Sequence, residues 1–354
     1  MPSVLGVVLA IFAISCCRTP QEELVSLPVS PAMPKTSPHT ATVKHEGAAV
    51  GLSGYTVDLS LMVQDGLYMF QVSSSEELEQ ILILADGAGE FPEVIVNIAP
   101  LRLPVDLDSL TVRERKELFI RSIMPIVLAE NHRIRVERDE LMSLKLQLKR
   151  EARLELSGKS TLKRLAERYN LTAKYPLTNP TQANELINIL QKRVDIVPPS
   201  LVIAQAAIES GWGTSRFALE GNSLFGQWVF GSQSGIVPSE RPSGAAYRVA
   251  SFNTLAESIR EYLNNLNTGW AYASFRKSRS EQRLGSHLDS LALAEELIHY
   301  STRGELYIEE LKSIIAGNRL QEYDHSHLCA LPHSEASLLA LRFEAPSRNH
   351  ERAN

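Results

Sequence analysis

Residues 198–213 read PPSLVIAQAAIESGWG, an apolar run that closes on a single acidic residue. Pro199 suits the first turn of a helix, where a missing N–H costs no intrahelical hydrogen bond. Gly211 suits the left-handed conformation that ends a helix. Glu209 is therefore expected in the last helical turn, where the helix dipole and apolar neighbours both raise the pKa of a carboxyl group. A carboxyl group that keeps its proton near neutral pH is suited to general acid catalysis.

The composition of the 354-residue chain argues against several classes of function. The net charge is −5 and the pI is near 6.0, so the chain lacks the basic balance of a nucleic-acid-binding protein. The three cysteines form no C-x-x-C pair and predict neither a zinc site nor a redox motif. His325 and His327 have no third predicted ligand, so neither a metal nor another cofactor is expected.

The N-terminal sequence MPSVLGVVLAIFAISCC predicts export. Its apolar run from Val4 to Ile14 is shorter than a membrane-spanning helix and has the length of a signal-peptide core. The run ends in Ala-Ile-Ser before Cys16, which resembles the lipidation site of bacterial lipoproteins. No aspartate follows Cys16, and by the same resemblance an aspartate there retains lipoproteins at the inner membrane. We expect a periplasmic, lipid-anchored protein, with the outer membrane slightly favoured.

Changes in composition and periodicity divide the chain into five predicted segments. A stretch rich in Pro, Ser and Thr follows the signal, and it has no helical or strand period. Helical signals dominate from Thr111 onward, with a loop or small β lobe between Phe230 and Phe252. The segments are a signal or lipoprotein segment (1–16), a disordered tether (17–48), a partly helical N-terminal extension (49–180), a mainly helical domain (181–325) and a disordered tail (326–354).

Several stretches of the chain resemble bacterial peptidoglycan β-N-acetylglucosaminidases, the family of mannosyl-glycoprotein endo-β-N-acetylglucosaminidase-like and flagellar muramidase-like enzymes. The Bax-like members of that family share these stretches, which together cover roughly residues 90–325. They are SLVIAQAAIESGWGTSRF, NSLFGQW, YLNNLNT followed by AY, YSTRGELYIEELKSII, and upstream RERKELFIRSIMPIVLAENHRIRVERDELMSL. The resemblance implies a mainly α, lysozyme-like fold, in which a helical lobe carries the catalytic glutamate and a small β-containing lobe faces it across a groove.

The resemblance also assigns catalytic roles. Glu209 matches the glutamate that protonates the leaving glycosidic oxygen, and Tyr300 matches a tyrosine whose hydroxyl could orient the N-acetyl group or a water molecule. The chain has Arg303-Gly304 where the tyrosine motif of the family has Asp-Pro. A second carboxylate is common in glycosidases, and Glu240 is the single acid in the predicted β lobe. The substrate's own N-acetyl group, or water without a strong base, remains an alternative.

The resemblance further implies a set of substrate-binding residues. Aromatic faces stack on the C–H surfaces of sugar rings, and amide side chains form hydrogen bonds with N-acetyl groups. The two tryptophans are also candidates for core packing, and Trp212, which directly follows the helix end, could wedge the two lobes together. The predicted set is Trp212, Asn222, Phe225, Gln227, Trp228 and Tyr307.

The function expected from these motifs is a peptidoglycan hydrolase that cleaves the β-1,4 bond after N-acetylglucosamine. One alternative is a lytic transglycosylase, which uses a single glutamate and leaves anhydro-muramic ends. Those enzymes carry G-L-M-Q downstream of the glutamate, whereas this chain has NSLFGQW, which favours the glucosaminidase. A second alternative is a non-catalytic lipoprotein that binds glycan or regulates another hydrolase. The expected partners are glycan strands and a lipid anchor, with no nucleic acid.

Overall fold

The computed structural model describes residues 62–86, 93–171, 179–230, 233–239, 241, 244–285 and 287–329. The predicted signal segment with Cys16, the predicted tether and Glu240 lie outside these residues. The described chain is mainly α-helical, as predicted. Its helices are α1 (Ser75–Asp86), α2 (Val112–Glu151), α3 (Leu156–Arg168), α4 (Pro180–Arg193), α5 (Pro199–Ser210), α6 (Arg216–Gly221), α7 (Leu255–Thr268), α8 (Ala273–Gln282), α9 (Ser290–Glu295) and α10 (Glu305–Gly317).

Short strands and 3₁₀ segments of one or two turns complete the secondary structure. The strands are β1 (Met62–Gln64), β2 (Leu67–Phe70), β3 (Val94–Val96), β4 (Ile98–Pro100), β5 (Trp228–Val229), β6 (Gly235–Ile236), β7 (Arg248–Ala250) and β8 (His327–Cys329). The 3₁₀ turns are Leu107–Ser109, Trp270–Tyr272 and Leu320–His325. No helix within the described ranges combines the length and the apolar character that crossing a bilayer requires.

Helix α2 is the longest element of the described chain and joins the predicted extension to the predicted domain. It begins with the capping box that the sequence predicts, in which Thr111 and Glu114 satisfy each other's backbone N–H groups. Near its middle, Asn131 forms a reciprocal pair of hydrogen bonds with the backbone of Val197, two residues before α5. Buried side chains of both segments belong to one hydrophobic core. The extension is therefore part of the same folded body as the domain.

A small N-terminal sheet is also tied to the domain. Its strand order is β1-β2-β4, and β1 and β2 form a hairpin through Asp65 and Gly66, both with positive φ. Arg260 on α7 pairs with the Asp65 carboxylate and with the buried carboxylate of Glu130 on α2. One guanidinium thus links the hairpin turn, α2 and the helical domain.

The predicted disordered tail begins too early. His327–Cys329 forms β8, which pairs in parallel with β3 of the extension. The pairing is held by backbone bonds from the His327 N–H to the Glu93 carbonyl and from the Asn97 N–H to the Cys329 carbonyl. Pairing between strands this far apart in sequence has no local signal. The boundary of the tail, which was predicted from composition, is therefore wrong by at least these residues.

The predicted small β lobe is present. Strands β5 and β6 both pair antiparallel with β7, in the order β5-β7-β6. Gly235 on β6 permits the close approach of the strands, because a Cβ there would lie 2.7 Å from the carbonyl oxygen of Val249. The lobe begins directly after the Asn222–Gln227 segment, and it lies next to α6, because a Cβ on Gly221 at the end of α6 would lie 2.7 Å from Ile236 Cδ1 on β6.

Candidate active site

The end of α5 places Glu209. The helix begins with Pro199 in its first turn and ends at Gly211 in the left-handed conformation (φ 60°), as predicted. Residues 199–207 of the helix are buried, whereas Glu209 is half-buried, so the acid lies where the helix emerges from the core. The Ser210 hydroxyl donates to the Ala206 carbonyl and accepts from the Gly213 N–H, which closes the turn. Ser210 therefore caps the helix end, and its hydroxyl hydrogen-bonds backbone groups and not the Glu209 carboxyl.

The turn after Glu209 is packed against the N-terminal extension. The half-buried Trp212, itself at φ 58°, meets the edge of the Phe119 ring at 5.8 Å, and the Lys116 ammonium lies 4.8 Å from the Trp212 ring centroid. Gly213 (φ 83°) is so close to the extension that an added Cβ would lie 2.5 Å from Leu103 Cδ1. The sequence predicted that Trp212 wedges the two lobes together, whereas its ring packs against the N-terminal extension. A contact between Trp212 and substrate stays a prediction.

A chain of buried hydrogen bonds from three helices ends at Glu209. The Tyr262 hydroxyl on α7 donates to Gln205 Oε1 on α5. Gln205 Nε2 donates to the Tyr307 hydroxyl on α10 at 2.9 Å. The Tyr307 hydroxyl in turn donates to the Glu209 carboxylate. Because the Tyr307 hydroxyl already accepts from Gln205, its own hydrogen is left for the bond to Glu209.

Burial controls the protonation of Glu209. Loss of solvent raises the pKa of its carboxyl group to about 7, although the Tyr307 hydrogen bond acts in the opposite direction. The charge of Glu310 raises the pKa further, and the charge of Arg303 lowers it. Arg303 and Glu310 form an ion pair of 2.6 Å, so their effects on Glu209 oppose each other. The predicted rise in pKa is confirmed, with burial as its main cause.

One oxygen of Glu209, Oε2, is buried and has no hydrogen-bond partner among the described residues. A buried carboxyl oxygen without a partner is costly to ionise, and a substrate oxygen placed beside it would supply the missing partner. The arrangement can therefore hold a proton on one side of the carboxyl while Tyr307 orients the other.

The structure corrects the predicted roles of two tyrosines. Tyr300 is 1% exposed, and its hydroxyl donates to the Phe225 carbonyl at 3.3 Å, so it faces backbone where a substrate contact was predicted. Its ring stacks on Tyr307 at 5.6 Å. Tyr307 is also 1% exposed and binds Glu209, whereas the sequence assigned it to substrate. Both tyrosines support the acid from within the core.

Two predicted substrate-binding residues are fully buried as well. Phe225 stacks on Tyr262, with ring centroids 3.8 Å apart, and has no exposed surface for a sugar ring. Asn222 closes α6 in the left-handed conformation, and its Nδ2 donates to the Phe252 carbonyl. Neither side chain can contact a substrate in this conformation. Their motif positions are explained by packing and by helix capping.

Gln227 and Trp228 remain candidates for substrate binding. Both are half-buried and lie where the chain enters the small sheet. Gln227 Oε1 has no partner within the described part of the chain. Trp228 stacks on Tyr247, with centroids 4.1 Å apart and an angle of 4° between the rings. One face of the Trp228 indole is thus covered by Tyr247.

Sequence reasoning missed Gln205 and Tyr262, although one signal was available for Gln205. This glutamine lies one helical turn before Glu209 within an apolar stripe, where a buried amide requires partners. The predicted Glu240 lies outside the described residues and stays a prediction. Across the described ranges, no group of three or more His, Cys, Asp or Glu residues is placed to hold a metal ion.

Comparison with known proteins identifies the part of the chain that contains this site. The glucosaminidase family model, described as mannosyl-glycoprotein endo-β-N-acetylglucosaminidase, matches residues 183–320. The matched range includes Glu209 and all the partners of its hydrogen-bond chain. Together with the helical architecture, the match confirms the predicted mainly α, lysozyme-like fold class.

Individual relatives match different shares of the chain. Protein bax of Escherichia coli (strain K12) is 34% identical over 211 residues, which cover 58% of this chain and 70% of that protein. The peptidoglycan hydrolase FlgJ of Escherichia coli O157:H7 is 28% identical over 130 residues, 33% of this chain and 41% of FlgJ. The crystal structure of the catalytic domain of the autolysin Auto from Listeria monocytogenes is 17% identical, with a TM-score of 0.34, over 59% of this chain and 87% of that chain.

Proposed function

Since this chain belongs to the Bax-like glucosaminidase family, we propose that it is a peptidoglycan hydrolase that cleaves the β-1,4 bond after N-acetylglucosamine. The family description and the name of FlgJ support a glycoside hydrolase that acts on peptidoglycan. The observation that carries the proposal is the state of Glu209, an acid at a helix end with a pKa of about 7. Such a group is half protonated near neutral pH and can deliver a proton.

In the proposed reaction, Glu209 protonates the glycosidic oxygen as the bond from C1 of N-acetylglucosamine to that oxygen breaks. The developing positive charge lies on C1 and the ring oxygen of the sugar. Tyr307 holds the carboxyl group in place before transfer and stabilises the carboxylate after it, because its hydroxyl donates to Glu209. Water then adds to C1, and its released proton restores Glu209.

The group that assists the water is proposed to be Glu240 or the N-acetyl group of the substrate. A second carboxylate acts as base or nucleophile in most glycosidases. Glu240 belongs to the β-lobe segment, which follows the Glu209 region in sequence. Cleavage by a Glu240→Gln variant at the wild-type rate would leave the N-acetyl group as the remaining proposal.

Digestion of purified sacculi by the full-length protein tests the proposal. We expect reducing N-acetylglucosamine ends by mass spectrometry, and a loss of at least about 100-fold in rate for Glu209→Gln. Glu220→Gln is the matched control, because Glu220 is an exposed acid of α6 that pairs only with Arg216 among the described residues. Anhydro-muramic ends would indicate a lytic transglycosylase, and an active Glu209→Gln variant would contradict the catalytic role.

We also propose that the protein is exported to the periplasm and lipidated at Cys16. The supporting pattern is the apolar run that ends in Ala-Ile-Ser-Cys. A Cys16→Ala variant is expected to move from the membrane fraction to the soluble fraction, with Cys329→Ala as the control. An unchanged distribution of Cys16→Ala would contradict lipidation at that residue.

A further inference from the structure

Trp270 is an exposed aromatic residue that the site as described does not use. Its side chain is 87% exposed, at the first position of the 3₁₀ turn Trp270–Tyr272. Trp212 and Trp228, by contrast, are half-buried against other aromatic rings. An indole ring left in water forgoes the large stabilisation that its burial would provide, and its faces stay open to a ligand.

The turn that presents Trp270 is held rigidly. Arg276 Nη1 donates to the carbonyls of Leu266 at 2.9 Å and Gly269 at 2.7 Å. The Gly269 N–H donates to the Asn265 carbonyl at 2.7 Å, and a Cβ on Gly269 would lie 2.8 Å from that same oxygen. A ligand that binds the indole therefore meets a backbone that is already ordered, which lowers the entropy cost of binding.

The same turn is anchored to the residues that support Glu209. Tyr272, its last residue, is 2% exposed, and its ring lies 6.2 Å from the ring of Tyr300. Tyr300 stacks on Tyr307, whose hydroxyl donates to the Glu209 carboxylate. Burial and the charge of Glu209 both raise the pKa of Tyr272, in keeping with this placement. The contacts thus run from the Trp270 turn to the acid through three aromatic residues.

We propose that Trp270 is a glycan-binding platform that takes a pyranose ring of the strand outside the two sugars joined by the cleaved bond. The negative face of the indole attracts the partly positive C–H groups of a sugar face, and no charge on the ligand is required. An uncharged contact suits a chain with a net charge of −5. This inference rests on the proposed function, because it concerns the substrate of the same site.

Binding to glycan fragments of different lengths tests the platform. The protein is the full chain with Glu209→Gln, so that the ligands stay intact, and the ligands are disaccharide and hexasaccharide fragments of peptidoglycan strands. We expect Trp270→Ala to weaken hexasaccharide binding about tenfold in calorimetry and to leave disaccharide binding within about twofold. Trp270→Phe should keep most of the hexasaccharide affinity, because it retains an aromatic face.

Leu284→Ala is the matched control, since Leu284 is 91% exposed and lies on the turn after α8. Its hexasaccharide affinity should equal that of the parent. Equal hexasaccharide affinity for Trp270→Ala and the parent would overturn the platform, and so would an equal loss for both ligands. If Trp270→Ala has no effect while Glu209→Gln abolishes cleavage, the platform fails and the proposed function stands. If the unmodified protein cleaves no glycan strand, the proposed function fails.

Discussion

The Tyr307 hydroxyl donates a hydrogen bond to the Glu209 carboxylate, so a residue of α10 holds the acid at the end of α5. Tyr307 is itself fixed by Gln205, which accepts from Tyr262. The position of the acid therefore depends on three helices that are distant in sequence. Changes at Tyr307 should alter both the orientation and the pKa of Glu209.

Tyr307→Phe should reduce the rate of sacculus lysis. It should also move the basic limb of the pH–rate profile, where the rate falls at high pH, to higher pH. The hydrogen bond lowers the pKa of Glu209, so its removal raises that pKa. Loss of the hydroxyl also leaves Gln205 Nε2 buried without its acceptor, which should lower the free energy of unfolding by about 1–3 kcal/mol. Rates measured against pH and urea unfolding check both effects, with Tyr68→Phe on β2 as the control. A basic limb that moves to lower pH would contradict the hydrogen bond.

Arg303→Gln and Glu310→Gln should shift the basic limb in opposite directions. The Arg303 charge lowers the pKa of Glu209 and the Glu310 charge raises it. Arg303→Gln should thus extend activity to higher pH, and Glu310→Gln should restrict activity to lower pH. Each variant is the control for the other, because both break the same 2.6 Å ion pair. If both variants shift the basic limb in the same direction, the prediction is contradicted, because the broken Arg303–Glu310 ion pair and not the individual charges would then govern the pKa of Glu209.

Local signals in the sequence predicted the element that presents the acid. Pro199 and Gly211 mark the ends of α5 because their conformational limits act within one helical turn. The Thr111–Glu114 capping box is equally local. Such patterns do not depend on the rest of the fold, so they can be identified without a structure.

Contacts between distant segments could not be predicted in this way. Tyr307 and Phe225 belong to motifs whose residue types suit substrate binding, yet both side chains are buried. Whether an aromatic residue faces core or groove depends on what packs against it, which is Tyr262 of α7 for Phe225 and Tyr300 for Tyr307. The meeting of β3 with β8 is a second case, because a three-residue strand carries too little pattern to specify its partner.

Gly213→Ala should destabilise the protein more than Gly66→Ala. Both glycines have φ near 80°, so both substitutions carry the same left-handed strain, about 1 kcal/mol. Only Gly213 is crowded, since its Cβ would meet Leu103 Cδ1 at 2.5 Å, whereas nothing described lies within 4 Å of a Cβ on Gly66. In urea unfolding, Gly213→Ala should lose about 1–3 kcal/mol more of the free energy of unfolding than Gly66→Ala. Equal losses would contradict the close packing of the Trp212 turn on the extension.

Glu209→Gln should stabilise the protein at alkaline pH relative to the wild type. The folded pKa of about 7 lies above the ordinary value of 4.5, so the folded state binds its proton more tightly than the unfolded state. Wild-type stability therefore falls as pH rises from about 4.5 to about 7, a loss of about 1–3 kcal/mol that glutamine avoids. Thermal unfolding at about pH 5 and pH 8 checks the sign, with Glu220→Gln as the control. A stability advantage for Glu209→Gln that is greater at pH 5 would contradict the raised pKa.

The rate of sacculus cleavage against pH, for the wild type and Glu209→Gln, tests the central claim most directly. If Glu209 is the general acid, wild-type kcat/KM falls above about pH 7, where the carboxyl loses its proton. Glu209→Gln should then be at least about 100-fold slower below pH 7 and have no basic limb near 7, so that the gap between the two narrows above pH 7. Wild-type rates for Glu209→Gln, or a wild-type rate that rises through pH 7, would contradict the claim.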